Sequence, residues 1–332
     1  MERSYPAYYR DFHCLASACP DSCCKEWTVD IDPDAAQRYR ALSGPLGDRL
    51  RQVLEDTDSG TVMAIENGRC PMWRRDGLCQ IQAELGHDAL CQVCREYPRL
   101  RHEYGSFEEL GLGLSCPEAA RLILTSPVLP PVTETVPDEN IPSNDPQALE
   151  ILLQSRKVLL ELLENEQYSL PQILAITLLY SYDVQLALNT KQLPPLDPAQ
   201  ALASCEKYAA KADIQALFDY FKTLEILTDE WSSILEAGPQ PPRWTSVHRA
   251  LARYFINRYW LQSVWDYEPA IRIKLTAAAC LMVSAIKGDP VKTAQLFSKE
   301  IENDPDNVEA ILDDAYASPA LTDAFLLGLL LR

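Results

Sequence analysis

Apolar residues in the second half of the chain recur at helical spacing, whereas the first 125 residues alternate between short apolar runs and turn formers. In the second half the pattern predicts helices over 147–165, 170–188, 198–220, 224–237, 245–264, 269–287, 290–303, 306–317 and 322–331. Prolines at 171, 198, 269, 290 and 305 fall near these starts, where a missing amide hydrogen costs least. In the first half, Tyr5, Tyr8, Tyr9 and Phe12 suit one face of a short helix, packed over the neighbouring cysteines as a lid or core. "WTVDID" (27–32) alternates like a strand, and "DPDAAQRYRALSG" predicts a helix over 33–42. A further helix over 46–56 is ended by Asp58, Ser59 and Gly60. "TVMAIENGRC" predicts a strand with a turn at Asn67 and Gly68, and "RRDGLC" a second turn at Asp76 and Gly77, together a small hairpin presenting Cys70 and Cys79. Short helices come next over 81–85 and 91–97, the latter closed by Pro98, and Cys116–Pro117 opens one through Leu124.

Between the halves, "SPVLPPVTETVPDENIPSNDP" is dense in proline and reads as a semi-rigid linker. The predicted fold is mainly α: a small cysteine-rich, metal-binding N-terminal domain with a minor β hairpin (1–125), a linker (126–147) and an all-helical C-terminal domain (148–332) that binds a substrate or partner. No fixed period of about 20–50 residues marks a repeat array.

With 332 residues and 47% hydrophobic content the chain buries a large core without disulfides. "MERSYPAYYRDFHC" has no apolar signal region, so a reducing, cytoplasmic location is expected, and thiols there point to metal. The most apolar stretches, 271–286 and 324–331, are broken by Arg272 and Lys274 or too short to span a bilayer, so no membrane is expected. A net charge of −18 repels phosphate backbones and argues against nucleic acid; it attracts lysine-bearing partners.

Nine of the eleven cysteines lie between Cys14 and Cys116. Cys91 and Cys94 have the two-residue gap that turns both sulfurs toward one ion or cluster. Cys23 and Cys24 are adjacent, and neighbouring side chains usually diverge, so separate roles are expected of them. Zinc ribbons need two CxxC knuckles and only one is present; a cluster held by three or four cysteines suits the odd count as well. His13 beside Cys14 is a further candidate ligand, though an isolated histidine is more often a surface group. Cys205 and Cys280 read as core residues, and the tryptophans at 231, 244, 260 and 265 as core or interface residues. There is no Walker loop, no HExxH and no serine–histidine–aspartate constellation. Gly111 and Gly113 lack the third glycine of a dinucleotide fingerprint, and C-x3-C-x2-C fails because its third position falls on Glu26. Three functional classes fit these residues: an enzyme, a zinc- or iron-stapled protein-binding module, and a metal-handling protein.

"FHCLASACPDSCCKEWTVDID", "CPMWRRDGLCQIQAELGHDALCQVCREYPR" and "LSCPEAARLIL", in that order, resemble the flagellin lysine-N-methylase family, part of a wider group of zinc- or iron-chelating cysteine-cluster proteins. The resemblance is dense from Tyr8 to Leu124. It implies transfer of a methyl group from S-adenosylmethionine to lysines of flagellin, or of another lysine-bearing protein, with a [4Fe–4S] cluster, or alternatively zinc, in the cysteine region. Carried over by motif, the ligand candidates are Cys19, Cys23, Cys24, Cys70, Cys79, Cys91, Cys94 and Cys116, with Tyr97 and Arg99 of the "YPR" element beside the cofactor. An open iron would hold the donor's amino and carboxylate groups, and Arg99 would pair with that carboxylate. Tyr97, Asp30 and Asp32 are within the motif as proton acceptors, but packing for the first and a strand face or helix cap for the others are the stronger readings. No catalytic base is assigned.

Overall fold

The computed structural model describes residues 1–25, 28–105, 107–137 and 145–331. Trp27 of the expected strand, Glu26, 138–144 of the expected linker and Arg332 lie outside the described residues.

The described strands are β1 (Glu2–Tyr5), β2 (Val29–Ile31), β3 (Leu54–Thr57), β4 (Gly60–Met63), β5 (Arg99–Glu103), β6 (Phe107–Leu112) and β7 (Val132–Thr135). They form two small sheets, one of order β5-β6-β1-β7 and one of order β2-β4-β3. The helices of this half are α1 (Pro33–Ala41), α2 (Pro45–Val53), α3 (Gln80–Leu85), α4 (Gln92–Glu96) and α5 (Pro117–Thr125). Four expectations change here. Tyr5 ends β1 and the aromatic run continues as a 3₁₀ turn over Ala7–Asp11, because Pro6 precedes it in an extended conformation. The helix expected over 46–56 stops at Val53, and its last residues form β3, a two-residue hairpin away from β4. The hairpin expected to present Cys70 and Cys79 is reduced to isolated bridges, Glu66 with Arg69 and Trp73 with Cys79. Part of the expected linker is sheet, since β7 pairs antiparallel with β1 from Glu2 opposite Thr135 to Tyr5 opposite Val132.

The first sheet is built around a buried charge. Register places Arg3 opposite Glu108, whose side chain is fully buried and accepts hydrogen bonds from the Nε of both Arg3 and Arg101. Pairing is what makes such burial tolerable.

The remainder is helical: α6 (Pro146–Leu163), α7 (Leu170–Thr190), α8 (Pro198–Tyr208), α9 (Ile214–Phe221), α10 (Asp229–Ala237), α11 (Ser246–Tyr259), α12 (Ser263–Asp266), α13 (Pro269–Ala285), α14 (Pro290–Ile301), α15 (Pro305–Asp314) and α16 (Asp323–Leu331). Asp145, Ser169, Asp197, Asp289 and Asp304 each cap a helix that has proline in its first turn. Each cap satisfies amides that the helix leaves open, worth about 1 kcal/mol. The helix expected over 198–220 is split in two, with Asp213 capping the second part, and the one expected from 224 begins only at Asp229 after Thr228 as cap. That expected over 245–264 is interrupted by a 3₁₀ turn at Trp260–Gln262.

Helix α13 runs buried along nearly its whole length and packs against α7, α11, α14 and α16. Its two cations are matched: Lys274 donates to the Ala315 carbonyl at 2.7 Å and pairs with Asp323 at 3.0 Å, and Arg272 pairs with Asp266 at 2.6 Å. Among the described residues no helix is long and apolar enough to cross a membrane.

Apolar side chains gather in two clusters. The smaller joins β2, β4, α1 and α2 through Val29, Ile31, Tyr39, Leu50 and Met63, with Cys70 and Cys79 packed against it. The larger holds the C-terminal helices together with Phe12, Tyr104, Leu112, Leu114 and the buried face of α5. Helix α5 therefore shares its core with α11 and α14, although it comes directly after the cysteine motifs in sequence.

Candidate functional site

The loops carrying Cys23, Cys24 and Cys70 and the starts of α3 and α4 bring the cysteines together. Asp32 is central to this, because its two carboxylate oxygens serve two helices. Oδ1 accepts from the Ala35 amide at 2.9 Å and caps α1; Oδ2 accepts from the Gln92 amide at 2.7 Å and holds the start of α4. The Cys91–Cys94 pair is thereby fixed to the end of β2. The Tyr39 hydroxyl donates to the Ala89 carbonyl at 2.8 Å and clamps the preceding turn. On the other side, the Cys70 amide donates to the Cys24 carbonyl at 2.8 Å, and the Gln80 amide to the Met72 carbonyl at 2.7 Å.

A cavity of about 70 Å³ results, lined by Cys23, Cys24, Cys70, Cys79, Cys91 and Cys94. The rest of its wall is apolar or aromatic, with Val29, Ile31, Met63, Met72, Tyr39 and Tyr97 among the lining. Cys23 and Cys24 thus face one cavity despite being adjacent, and their thiols are hydrogen bonded to each other. Cys19 and Cys116 stand outside it: Cys116 caps α5, and the charges of Cys19 and Cys14 act on it. Cys23 feels both Cys14 and Cys116, so it lies where this outer set meets the cavity set. Among the described residues no three cysteine, histidine, aspartate or glutamate side chains are grouped so as to hold one metal ion.

Burial pushes the Cys70 thiol up to about 12 and that of Cys116 to about 11, and raises Cys79 and Cys19 as well. The two hydrogen-bonded pairs behave differently. The bond from Cys23 holds Cys24 down to about 7 while Cys23 keeps its proton, and the bond from Cys94 lowers Cys91 while Cys94 is raised. In each pair one thiol, Cys24 or Cys91, is shifted toward the thiolate, the form that binds metal.

Tyr97 lines a second cavity as well, of about 180 Å³, between the β5–β6 end of the first sheet and helices α11 and α14. Arg99, Ser115, Tyr254, Arg258, Ser298 and Glu302 complete much of its polar wall. The Tyr97 hydroxyl lies 3.1 Å from Ser115 Oγ, and burial raises its phenol far above the ordinary value. Arg99 is exposed, its guanidinium 5.1 Å from the centre of the Phe12 ring. Both cofactor-side candidates of the "YPR" element thus stand on this cavity, and of the two Tyr97 also lines the thiol cavity. Glu302 accepts from Tyr254 at 3.0 Å and Tyr259 at 2.8 Å, and its Oε1 is 2.7 Å from Arg258 Nε. That nitrogen is off the line of a hydrogen bond, and it, Arg258 Nη1 and Ser298 Oγ have no hydrogen-bond partner among the described residues.

The other candidates fall elsewhere. Asp30 points out of β2 into solvent. His13 is exposed and its Nδ1 is 2.9 Å from the Asp11 carbonyl. Gly111 pairs with Leu100 inside a sheet, where no phosphate loop exists. Cys205 and Cys280 are fully buried in the helical core, as are Trp231 and Trp260, whereas Trp265 is half exposed and stacks on Tyr104. Arg258, Ser298 and Glu302 carry no motif in the sequence; the one available signal is an arginine inside the apolar "FINRYW" of a helix.

Fold and site define a class: a cysteine-lined unit joined through a shared tyrosine wall to a helical body. The chain belongs to the lysine-N-methylase family, which includes the FliU flagellar biosynthetic protein. It is 33% identical over 135 residues to "Flagellar biosynthetic protein FliU" of Salmonella muenchen, a match covering 37% of this chain and 76% of that protein. It is 33% identical over 129 residues to the "Lysine-N-methylase" of Salmonella choleraesuis and to that of Salmonella typhimurium, covering 37% of this chain and 32% of each. The chain thus spans about a third of the length of the lysine-N-methylases it matches. No family model and no solved structure matches the chain.

Proposed function

We propose that the protein is a lysine N-methyltransferase that takes its methyl group from S-adenosylmethionine and acts on flagellin. The observation that carries this reading is the match to proteins named for lysine methylation and flagellar biosynthesis. The donor set of the thiol cavity fits an iron–sulfur cluster: its potential ligands are all sulfur, which suits iron–sulfur clusters and zinc and disfavours hard cations. Cys24, Cys70, Cys79, Cys91 and Cys94, with Cys23 at the margin, are the residues to hold it. When bound, such a cluster joins by iron–thiolate bonds the segments that carry these cysteines.

The rest of the chemistry belongs to the chain. A lysine ammonium has no lone pair, so the ε-amino group must reach the site neutral. Removal from water favours that form. The amine then attacks the sulfonium methyl in line; the carbon–sulfur bond breaks, S-adenosylhomocysteine leaves, and the amine loses a proton to solvent. Positioning is the main requirement. The Tyr97 hydroxyl, kept protonated by burial, orients an amine by hydrogen bonding and does not serve as a base. The acidic surface, at net charge −18, draws lysine-rich partners toward it.

The test is iron and acid-labile sulfide content of anaerobically purified protein, followed in the same sample by labelled methyl transfer to flagellin. Iron, sulfide and label on lysine are expected. Stoichiometric zinc with neither sulfide nor label would replace the reading with that of a metal-stapled binding module.

A further inference from the structure

The cavity between β5, β6, α11 and α14 combines two kinds of unmet demand. Ser298, 1% exposed, lines the cavity, and its Oγ has no hydrogen-bond partner among the described residues. Arg258 brings a guanidinium whose Nη1 is buried and equally without one. Buried polar groups in native proteins find partners, and a pair of orphaned donors facing one space marks a place for an acceptor. Two guanidinium groups, of Arg258 and Arg99, face a single carboxylate, Glu302, across this cavity. Glu302 is already engaged by Tyr254, Tyr259 and Arg258. The balance left over is one positive charge, that of exposed Arg99, beside two open donors, Arg258 Nη1 and Ser298 Oγ, and charge with neutral donors beside it suits a carboxylate.

Size narrows the ligand further. A volume of about 180 Å³ is below the ~300 Å³ at which pockets for drug-sized ligands begin, so it receives a head group and not a whole nucleoside. The wall opposite the helices is Tyr97, which also borders the thiol cavity, so a ligand anchored here extends toward the thiols. We propose that this cavity binds the α-carboxylate of an amino-acid head group, with Arg258 Nη1 and Ser298 Oγ as its donors. Resting on the function proposed above, the ligand is the methionine portion of S-adenosylmethionine and of its product.

The experiment measures binding of S-adenosylhomocysteine and of 5′-methylthioadenosine, which lacks the amino-acid portion, to the anaerobically purified full chain by calorimetry. Ser298→Ala removes a hydroxyl that bonds nothing in the free protein, so folding is expected to be unaffected. The variant is expected to weaken S-adenosylhomocysteine about tenfold or more and to leave methylthioadenosine unchanged. Arg258→Lys, which keeps the charge and loses the fork, is expected to do the same. If wild-type protein binds S-adenosylhomocysteine and methylates lysine while both variants bind it normally, the assignment of this cavity falls and the methyltransferase reading stands. Equal losses for the two ligands also overturn it, since the effect then lies outside the head group. If wild-type protein neither binds S-adenosylhomocysteine nor transfers label, both fall together.

Discussion

Lys299 reaches from the last turn of α14 to Asp21, in the loop between Cys19 and Cys23, with Nζ 3.0 Å from Oδ2. The side chains are 9% and 22% exposed, so the pair is largely dry. Replacing Lys299 by Met keeps an apolar stem of similar length and removes the charge. Breaking a fully buried pair costs about 3–5 kcal/mol. Here Asp21 is partly wet and keeps two partners on Oδ1, the Ser22 amide at 2.8 Å and Lys25 at 3.2 Å. The loss is therefore about 2 kcal/mol, the scale of a charge-assisted hydrogen bond. Burial alone would raise the Asp21 carboxyl, but Lys299, the Ser22 amide and Lys25 outweigh it and hold it below the usual value. A depressed folded-state pKa stabilises the fold fully above the unfolded value of about 3.9 and loses that contribution as pH falls through the folded one. The assay is urea unfolding of wild type and Lys299→Met, tracked by tryptophan fluorescence at pH 7 and pH 3. A gap of about 2 kcal/mol at pH 7 that narrows at pH 3, below the unfolded value, is expected, along with faster alkylation of Cys19 and Cys23 in the variant and no change at Cys205. A gap as wide at pH 3 as at pH 7 would refute the electrostatic argument and assign the loss to packing.

Three further outcomes are expected. Glu108→Gln removes the charge that Arg3 and Arg101 share and costs about 3 kcal/mol; burial pushes this carboxyl up but the two arginines hold it down, so the cost, read by thermal unfolding, shrinks as pH falls below about 4.3 and vanishes only below the lowered folded value. Asp32→Ala uncaps α1 and frees the start of α4, costing about 2 kcal/mol and lowering bound iron in the anaerobic preparation; Asp30→Ala, on the exposed face of the same strand, changes neither. Tyr97→Phe loses the hydroxyl's contact with Ser115, so stability moves by about 1 kcal/mol and iron content holds, while labelled methyl transfer falls about tenfold.

The helical half was legible because its signals are local. Aspartate or serine just ahead of a proline marks a helix start within a few residues, and Asp145, Ser169, Asp197, Asp289 and Asp304 all act that way. The first sheet was illegible for the opposite reason. In "RLRHEYGSFEELGL" the alternation that marks strands is hidden by charge, since the most buried side chain of β6 is Glu108, compensated by Arg3 more than a hundred residues away. Strand β7 was hidden by prolines that suit an edge position as well as a linker. Within the site, the Cys91–Cys94 spacing and the "YPR" element could be read because both depend on neighbours in sequence; the fold puts Cys91 and Cys94 on the thiol cavity and Tyr97 on both cavities. What joins Cys23 and Cys24 to Cys70, Cys79, Cys91 and Cys94 in one cavity is a backbone bond from Cys70 to Cys24 and the divided carboxylate of Asp32, neither of which leaves a motif.

The tie between the thiol loops and the helical body bears on the chemistry as well as on stability. Helix α14 supplies Lys299 to the cysteine loop, Gln295 to the Ser115 carbonyl at 2.6 Å, and Ser298 to the cavity behind Tyr97. Two contacts from one helix, those of Lys299 and Gln295, tie the cysteine loop and the turn before α5 to the helical body, and Ser298 lines the cavity between them. The in-line methyl transfer proposed above would tolerate little error in that spacing. A helix that only packed the core would need none of the three, because Leu296, Phe297 and Ile301 already bury its apolar face. The polar residues of α14 are therefore best understood as the elements that hold the two cavities in register across Tyr97.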